Sequence, residues 1–93
     1  MANKARASHI LVKTEEQAKT ILTKIKNGES FSKMAEQFSL CPSRKKGGSL
    51  GEFGRGQMVK EFEKAVFDGK KGDVILCKTQ FGWHIIRIED LRG

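Results

Sequence analysis

The chain holds two imidazoles, His9 and His84, and two thiols, Cys41 and Cys77, and these four side chains bound the chemistry it can do. Two thiolates and two imidazoles can complete a zinc tetrahedron, but they lie far apart in sequence and lack the close pairs of structural zinc sites. Cys41 with His84 can instead form a nucleophile and its base, and spacing alone does not reject that pair. Against it stands the plainer alternative of half-buried core histidines and a small buried cysteine. A glycine-rich stretch over residues 47–57 also suggests a phosphate cradle. It fails on detail: Gly51 and Gly56 have the right separation, but Gln57 and Met58 stand where Lys and Ser or Thr are required, and no long strand precedes them.

Those side chains need elements to position them. Residues 7–12 read as a short strand that carries His9 and ends in Ile10, Leu11 and Val12. Thr14-Glu15-Glu16-Gln17 then forms a capping box, with two acids where the helix dipole favours them. Ala18, Ile21, Leu22 and Ile25 recur at helical spacing up to Asn27-Gly28, which predicts a helix over 15–26. Ser30 can cap a second helix whose Phe31, Met34, Ala35 and Phe38 repeat the pattern, so two amphipathic helices need one shared surface. Residues 41–57 carry five glycines, the only proline and Arg44-Lys45-Lys46, and read as loop with a short strand over 49–53. Helical spacing returns over 58–68, with Met58, Phe62 and Ala65 on one side. Residues 74–78 and 83–89 read as a hairpin turning at Gly82, with His84, Ile86 and Ile88 opposite Trp83, Ile85 and Arg87. The order is β-α-α-loop/β-α-β-β, a single α+β domain over residues 1–93 in which helices cover a small, mostly antiparallel sheet.

Charge gives a second theme. The net charge is +7 with a pI near 9.7, and residues 1–46 hold ten of the 18 Lys and Arg against four of the 11 acids. No interleaved aromatics, helix-turn-helix or RNP signature accompanies it, so specific nucleic-acid readout is not expected. Lys4, Arg6, Lys19, Lys24, Lys26, Lys33, Arg44, Lys45 and Lys46 are instead candidates for a surface facing acidic partners or anionic lipid. The first residues lack the apolar core of a signal peptide, no run is long enough to span a membrane, and two distant cysteines make no disulfide framework. A cytoplasmic chain, peripheral at a membrane surface where the basic face engages lipid, is the expectation.

Five collinear motifs carry a resemblance: Ala7-Ser8-His9-Ile10-Leu11-Val12; Phe38-Ser39-Leu40-Cys41-Pro42-Ser43; Gly47-Gly48-Ser49-Leu50-Gly51-Glu52-Phe53; Gly56-Gln57-Met58-Val59 with Phe62; and Thr79-Gln80-Phe81-Gly82-Trp83-His84-Ile85-Ile86. The match is collinear and extends over nearly the whole chain, which resembles parvulin-type peptidyl-prolyl cis-trans isomerases, most of all the small stand-alone ones. The resemblance implies a β-α-α-α-β-α-β-β fold with a four-stranded sheet. It also implies a monomeric rotamase that acts on X–Pro bonds of unfolded or flexible polypeptides and assists folding as a chaperone, with no metal, nucleotide or organic cofactor.

By the same resemblance Leu50, Met58 and Phe62 form a proline pocket, Met58 and Phe62 sharing a helix face, with Gln57 and Phe81 at its rim. His9 and His84 would pair, with Thr79 tied into their network, in a scaffolding and electrostatic role. Cys41 stands where the family carries Cys or Asp near the substrate carbonyl, an interchange that argues against an obligatory thiol intermediate. Ser39 and Leu40 read as structural and Trp83 as packed outside the site. Phosphate-directed parvulins have a longer, Arg-bearing loop after the first strand, whereas here Lys13 runs straight into Thr14-Glu15-Glu16. The chain is therefore expected to need no phosphorylated substrate, while Arg44, Lys45 and Lys46 favour acidic residues before proline. Two other readings stand beside the isomerase: a binding module for proline segments, nucleic acid or anionic membrane, and a covalent cysteine enzyme, which a Cys41→Asp change would kill.

Overall fold

Strand β1 (Lys4–Val12) is the centre of the molecule, because small residues at one end and β-branched ones at the other let helices close on both of its faces. The computed structural model describes residues 3–92. After β1 come α1 (Glu15–Lys26), α2 (Phe31–Phe38), a 3-10 turn (Pro42–Lys46), β2 (Ser49–Gly54), α3 (Lys60–Asp68), β3 (Val74–Thr79) and β4 (Gly82–Arg92). The sheet has the order β2-β1-β4-β3 and all three pairings are antiparallel. This is the four-stranded α+β arrangement expected from the resemblance.

Two cores lie on opposite faces of that sheet. On one, Ile10, Val12 and Ile85 pack with Ala18 and Ile21 of α1 and Phe31, Met34 and Ala35 of α2, so the two amphipathic helices do share one surface. On the other, Ala5, Ala7, Phe53, Cys77, Ile86 and Ile88 are covered by Phe62 and Val66 of α3. Both helix starts are capped as their sequences require. Thr14 Oγ1 accepts from the Gln17 N–H at 3.2 Å, and Ser30 Oγ accepts from the Lys33 N–H at 3.3 Å.

Strand β1 begins at Lys4 and not at residue 7, and β4 runs over Gly82–Arg92 and not only residues 83–89, because the two strands pair along their whole length from Lys4↔Arg92 to Val12↔Trp83; two further segments differ in kind from the sequence expectation. Residues 42–46, expected as loop, form a 3-10 turn: Pro42 presets φ at its first position, the Arg44 N–H donates to the Cys41 carbonyl, and Gly47 at φ +67° ends it. This is the additional helical element of the resemblance. In the other segment, α3 begins at Lys60 with Val59 as its N-cap, so Met58 precedes the helix and does not share a helix face with Phe62.

Candidate functional site

Element length decides where a cavity falls. Nine residues make α3 about 14 Å long, whereas nine residues of β1 extend about 30 Å, so α3 cannot cover the whole face beneath it. It covers Ala5, Ala7, Ile86 and Ile88 and leaves open the end of that face where His9, Leu11 and His84 project. The opening is a cavity of about 430 Å³. Leu40, Cys41 and Pro42 bound it where α2 meets the 3-10 turn, Leu50 comes from β2, and Phe81 comes from the β3–β4 turn. Gln57, Met58 and Val59 lead into α3, which contributes Phe62.

The walls outside regular elements are tied down. Gln57 Oε1 accepts from the Gly54 N–H at 2.6 Å, and the Gly56 N–H donates to Glu63 Oε1, so the segment that presents Gln57 and Met58 is held at both ends. Across the cavity Ser39, only 1% exposed, accepts at Oγ from the Leu11 N–H at 3.1 Å and from the Cys41 N–H at 3.3 Å. The Leu40 N–H donates to the Leu11 carbonyl at 2.8 Å. Residues 39–41 are thereby fastened to β1. Cys41 itself is half-buried and its thiol is free.

His9 and His84 stand diagonally on neighbouring strands, since His9 faces Ile86 in the register and His84 faces Leu11. Their Nδ1 atoms are 2.9 Å apart, and His84 Nε2 lies 2.8 Å from Thr79 Oγ1, which also accepts from the Phe81 N–H. A proton assignment with both rings neutral satisfies both contacts. The Thr79 hydroxyl, already an acceptor, donates to His84 Nε2; His84 then carries its proton on Nδ1 and donates to His9 Nδ1. That leaves a proton on His9 Nε2, which is buried and has no hydrogen-bond partner among the described residues. Both rings must be neutral for this arrangement. Burial, and after it the neighbouring His84, lowers the His9 pKa from 6.5 to about 4, and burial lowers that of His84 as well. Phe62 meets both imidazoles edge-on, at centroid distances of 5.6 and 5.4 Å, and packs them against the cavity floor.

The structure thus brings His9, Cys41, His84, Leu50, Gln57, Met58, Phe62 and Phe81 to one cavity, with Thr79 behind His84. The sequence reading missed Leu11, Pro42 and Val59 as lining residues and took Leu40 as structural. Leu40 is 56% exposed, because its backbone is pinned to β1 while no element covers its side chain. Trp83 packs with the core on the opposite sheet face, outside the site. Cys77 is a buried core thiol that donates to the Glu61 carbonyl, and burial followed by the Glu61 charge raises its pKa. Among the described residues no group of three or more His, Cys, Asp or Glu comes together to hold a metal.

The nine basic candidates are all exposed and none lines the cavity. Arg44 and Lys45 border a separate surface cleft with Glu36, so the expected preference for acidic residues before proline has no basic side chain in the cavity wall. Lys4 lies 4.0 Å from Glu52, Arg6 faces Glu52 and Asp90 across the sheet, and Lys19 pairs with Glu15 at 3.6 Å.

Among the described residues the cavity is lined largely by apolar side chains, has no Lys, Arg, Asp or Glu in its wall and holds two imidazoles whose pKa values burial lowers, a setting suited to a compact apolar group. The chain belongs to the PPIC-type PPIase domain family, which matches residues 1–92. It is similar to the foldase protein PrsA of Geobacillus kaustophilus (strain HTA426), 52% identical over 89 residues, which are 94% of this chain and 32% of that protein. The crystal structure of the peptidylprolyl isomerase PrsA from Bacillus anthracis superposes with a TM-score of 0.95 at 38% identity, covering 99% of this chain and 43% of that one. The solution structure of NmPin, the parvulin of Nitrosopumilus maritimus, gives a TM-score of 0.86 at 43% identity and covers 97% of this chain and 99% of its own. The chain spans about a third of the length of the PrsA relatives it matches and nearly all of NmPin.

Proposed function

We propose that this chain is a peptidyl-prolyl cis-trans isomerase that acts on X–Pro bonds of unfolded or flexible polypeptides and assists their folding. The observation that carries the reading is the apolar cavity shared by Leu50, Met58 and Phe62 with the buried His9–His84 pair. Rotation about X–Pro meets a barrier of about 18–20 kcal/mol because it breaks amide resonance. The planar amide is more dipolar than the twisted one, so transfer from water to an apolar wall raises the ground state more than the transition state. Leu50, Met58 and Phe62 would hold the pyrrolidine ring, with Gln57 and Phe81 at the rim. The His9–His84–Thr79 chain would hold the floor of the site rigid and neutral. Cys41 would sit near the substrate carbonyl, where a polar or anionic side chain opposes the charge separation of the planar amide. No bond is made or broken in this scheme, so Cys41→Asp is expected to retain activity within about tenfold, a change of about 1.4 kcal/mol in the barrier.

The cavity wall offers no arginine fork for phosphate, and Glu15 and Glu16 follow β1, which supports action on unphosphorylated segments. Exchange NMR on a panel of X–Pro peptides tests the whole reading. Equal exchange rates with and without the protein would overturn it, and a hundredfold preference for phospho-Ser-Pro would overturn the unphosphorylated substrate class.

The same reading has the chain working as a monomer in the cytoplasm, its exposed lysines engaging an acidic partner or an anionic membrane surface. The basic excess of residues 1–46 supports the engagement of an acidic partner or anionic surface. Sedimentation equilibrium and cell fractionation check the two statements separately.

A further inference from the structure

Pro42 is the only proline of the sequence, so Cys41–Pro42 is its only X–Pro bond, and both residues line the cavity. No described peptide bond is cis, so the folded chain holds this one trans. It is anchored on both sides. Before it, the Leu40 N–H donates to the Leu11 carbonyl and the Cys41 N–H to Ser39 Oγ. After it, the Arg44 N–H donates to the Cys41 carbonyl at 3.0 Å, the Gly48 N–H to the Ser43 carbonyl at 2.9 Å, and the His9 N–H to the Gly48 carbonyl at 2.9 Å. A cis bond would draw the flanking Cα atoms from about 3.8 to about 2.9 Å and redirect the chain, so it cannot satisfy both sets of anchors. Either Leu40 and Cys41 or the 3-10 turn would leave the wall, and Leu50 follows that turn into β2. A chain with this bond cis therefore has an incomplete cavity. The unfolded chain has none of these anchors, and there X–Pro bonds are about 10–30% cis and exchange over tens to hundreds of seconds.

We propose that the folded protein is its own folding catalyst: it turns the Cys41–Pro42 bond of unfolded copies of this chain from cis to trans. This rests on the isomerase reading. The step is a rotation, and no bond forms or breaks. It cannot take place within one chain, because the bond lies in the wall of the cavity, and carrying it to Leu50, Met58 and Phe62 would take that wall apart. The catalyst must be a second copy that is already folded. The segment also suits the site, since Phe38-Ser39-Leu40-Cys41-Pro42-Ser43 carries no Lys, Arg, Asp or Glu, and neither does the described lining of the cavity. Folding of this chain should then speed up as folded copies accumulate.

Refolding by dilution from denaturant tests it, followed by the fluorescence of Trp83, the only tryptophan, which packs in the core on the opposite sheet face. Chains left unfolded for many minutes should refold with a slow phase of about 10–30% amplitude and a rate near 0.01 s⁻¹, on the order of uncatalysed X–Pro exchange. Chains unfolded for only a few seconds keep the bond trans and should lack that phase, as should Pro42→Ala. At a kcat/KM of about 10⁴ M⁻¹ s⁻¹, the low end for efficient enzymes, about 10 µM native protein adds about 0.1 s⁻¹. The slow phase should therefore quicken roughly tenfold, in proportion to the native protein added. Absence of a slow phase, its persistence in Pro42→Ala, or a rate that native protein leaves unchanged overturns the proposal. Exchange NMR on other X–Pro peptides separates the two readings. Catalysis of those peptides with an unchanged slow phase overturns self-catalysis alone, and absence of catalysis on every peptide overturns the isomerase reading and self-catalysis with it.

Discussion

His9 is kept neutral by the burial that fixes its geometry, since it is 5% exposed and its pKa is lowered to about 4. An unfolded histidine titrates near 6.5, so between about pH 6.5 and 4 the unfolded chain binds more protons than the folded one and stability must fall as pH falls. The contribution is complete above pH 6.5 and is lost as pH drops through about 4; His84, shifted in the same direction, adds to it. Urea denaturation at several pH values should show a loss of up to about 3 kcal/mol over this window. A flat profile would mean that the two rings are not held neutral. Thr79 is tested separately. Thr79→Val keeps the shape and deletes the hydroxyl that receives the Phe81 N–H and bonds His84 Nε2, and it should cost about 1–3 kcal/mol of stability. It should also lower kcat/KM about tenfold, and Thr79→Ser should restore most of both.

At the scale of elements the site depends on how closely three segments approach. Gly48, at φ +87°, lies where a Cβ would meet the His9 carbonyl at 2.5 Å and the Ala35 Cβ at 3.2 Å, and its own carbonyl accepts from the His9 N–H at 2.9 Å. Gly51, at φ +69°, has open space around it. Gly51→Ala should therefore lose only the roughly 1–2 kcal/mol of a left-handed backbone. Gly48→Ala should lose clearly more and displace the His9 backbone, which chemical denaturation and the His9 amide shift would report; equal losses would show that the contact yields freely. The elements that the sequence made legible are those with local signals: α1 and α2 begin at hydroxyl caps and repeat their apolar spacing. The start of α3 was not legible. Met58 and Phe62 have helical spacing, but Gln57 and Glu63 bond the backbone amides of Gly54 and Gly56 and fix the intervening segment as a loop. Leu40 escaped for another reason: its exposure follows from the pinning of its backbone to β1, which is distant in sequence.

At the scale of the whole molecule, charge and cavity are separate systems. The net charge is +7, yet the walls of the cavity are uncharged and all nine basic candidates point to solvent elsewhere. Part of the basic set already has local work: Lys4 and Arg92 share Glu52, and Lys24 and Lys26 occupy the last turn of α1, where the helix dipole favours cations. A screening experiment separates the two systems. Raising salt from 0.1 to 1 M shortens the Debye length from about 10 to about 3 Å, which removes surface electrostatics and leaves apolar contacts in place. Isomerisation of an uncharged peptide should then change by less than about twofold, whereas binding to vesicles containing anionic lipid should disappear. Lys24→Glu with Lys26→Glu lowers the net charge from +7 to +3 and, at about 1 kcal/mol per surface lysine, should weaken vesicle binding roughly thirtyfold or more without altering the peptide rate. Failure of the unaltered chain to bind vesicles at low salt would remove the membrane partner and leave the charge serving solubility. Salt-sensitive isomerisation of the uncharged peptide would require a charged group at the site, whereas the described lining of the cavity holds no Lys, Arg, Asp or Glu.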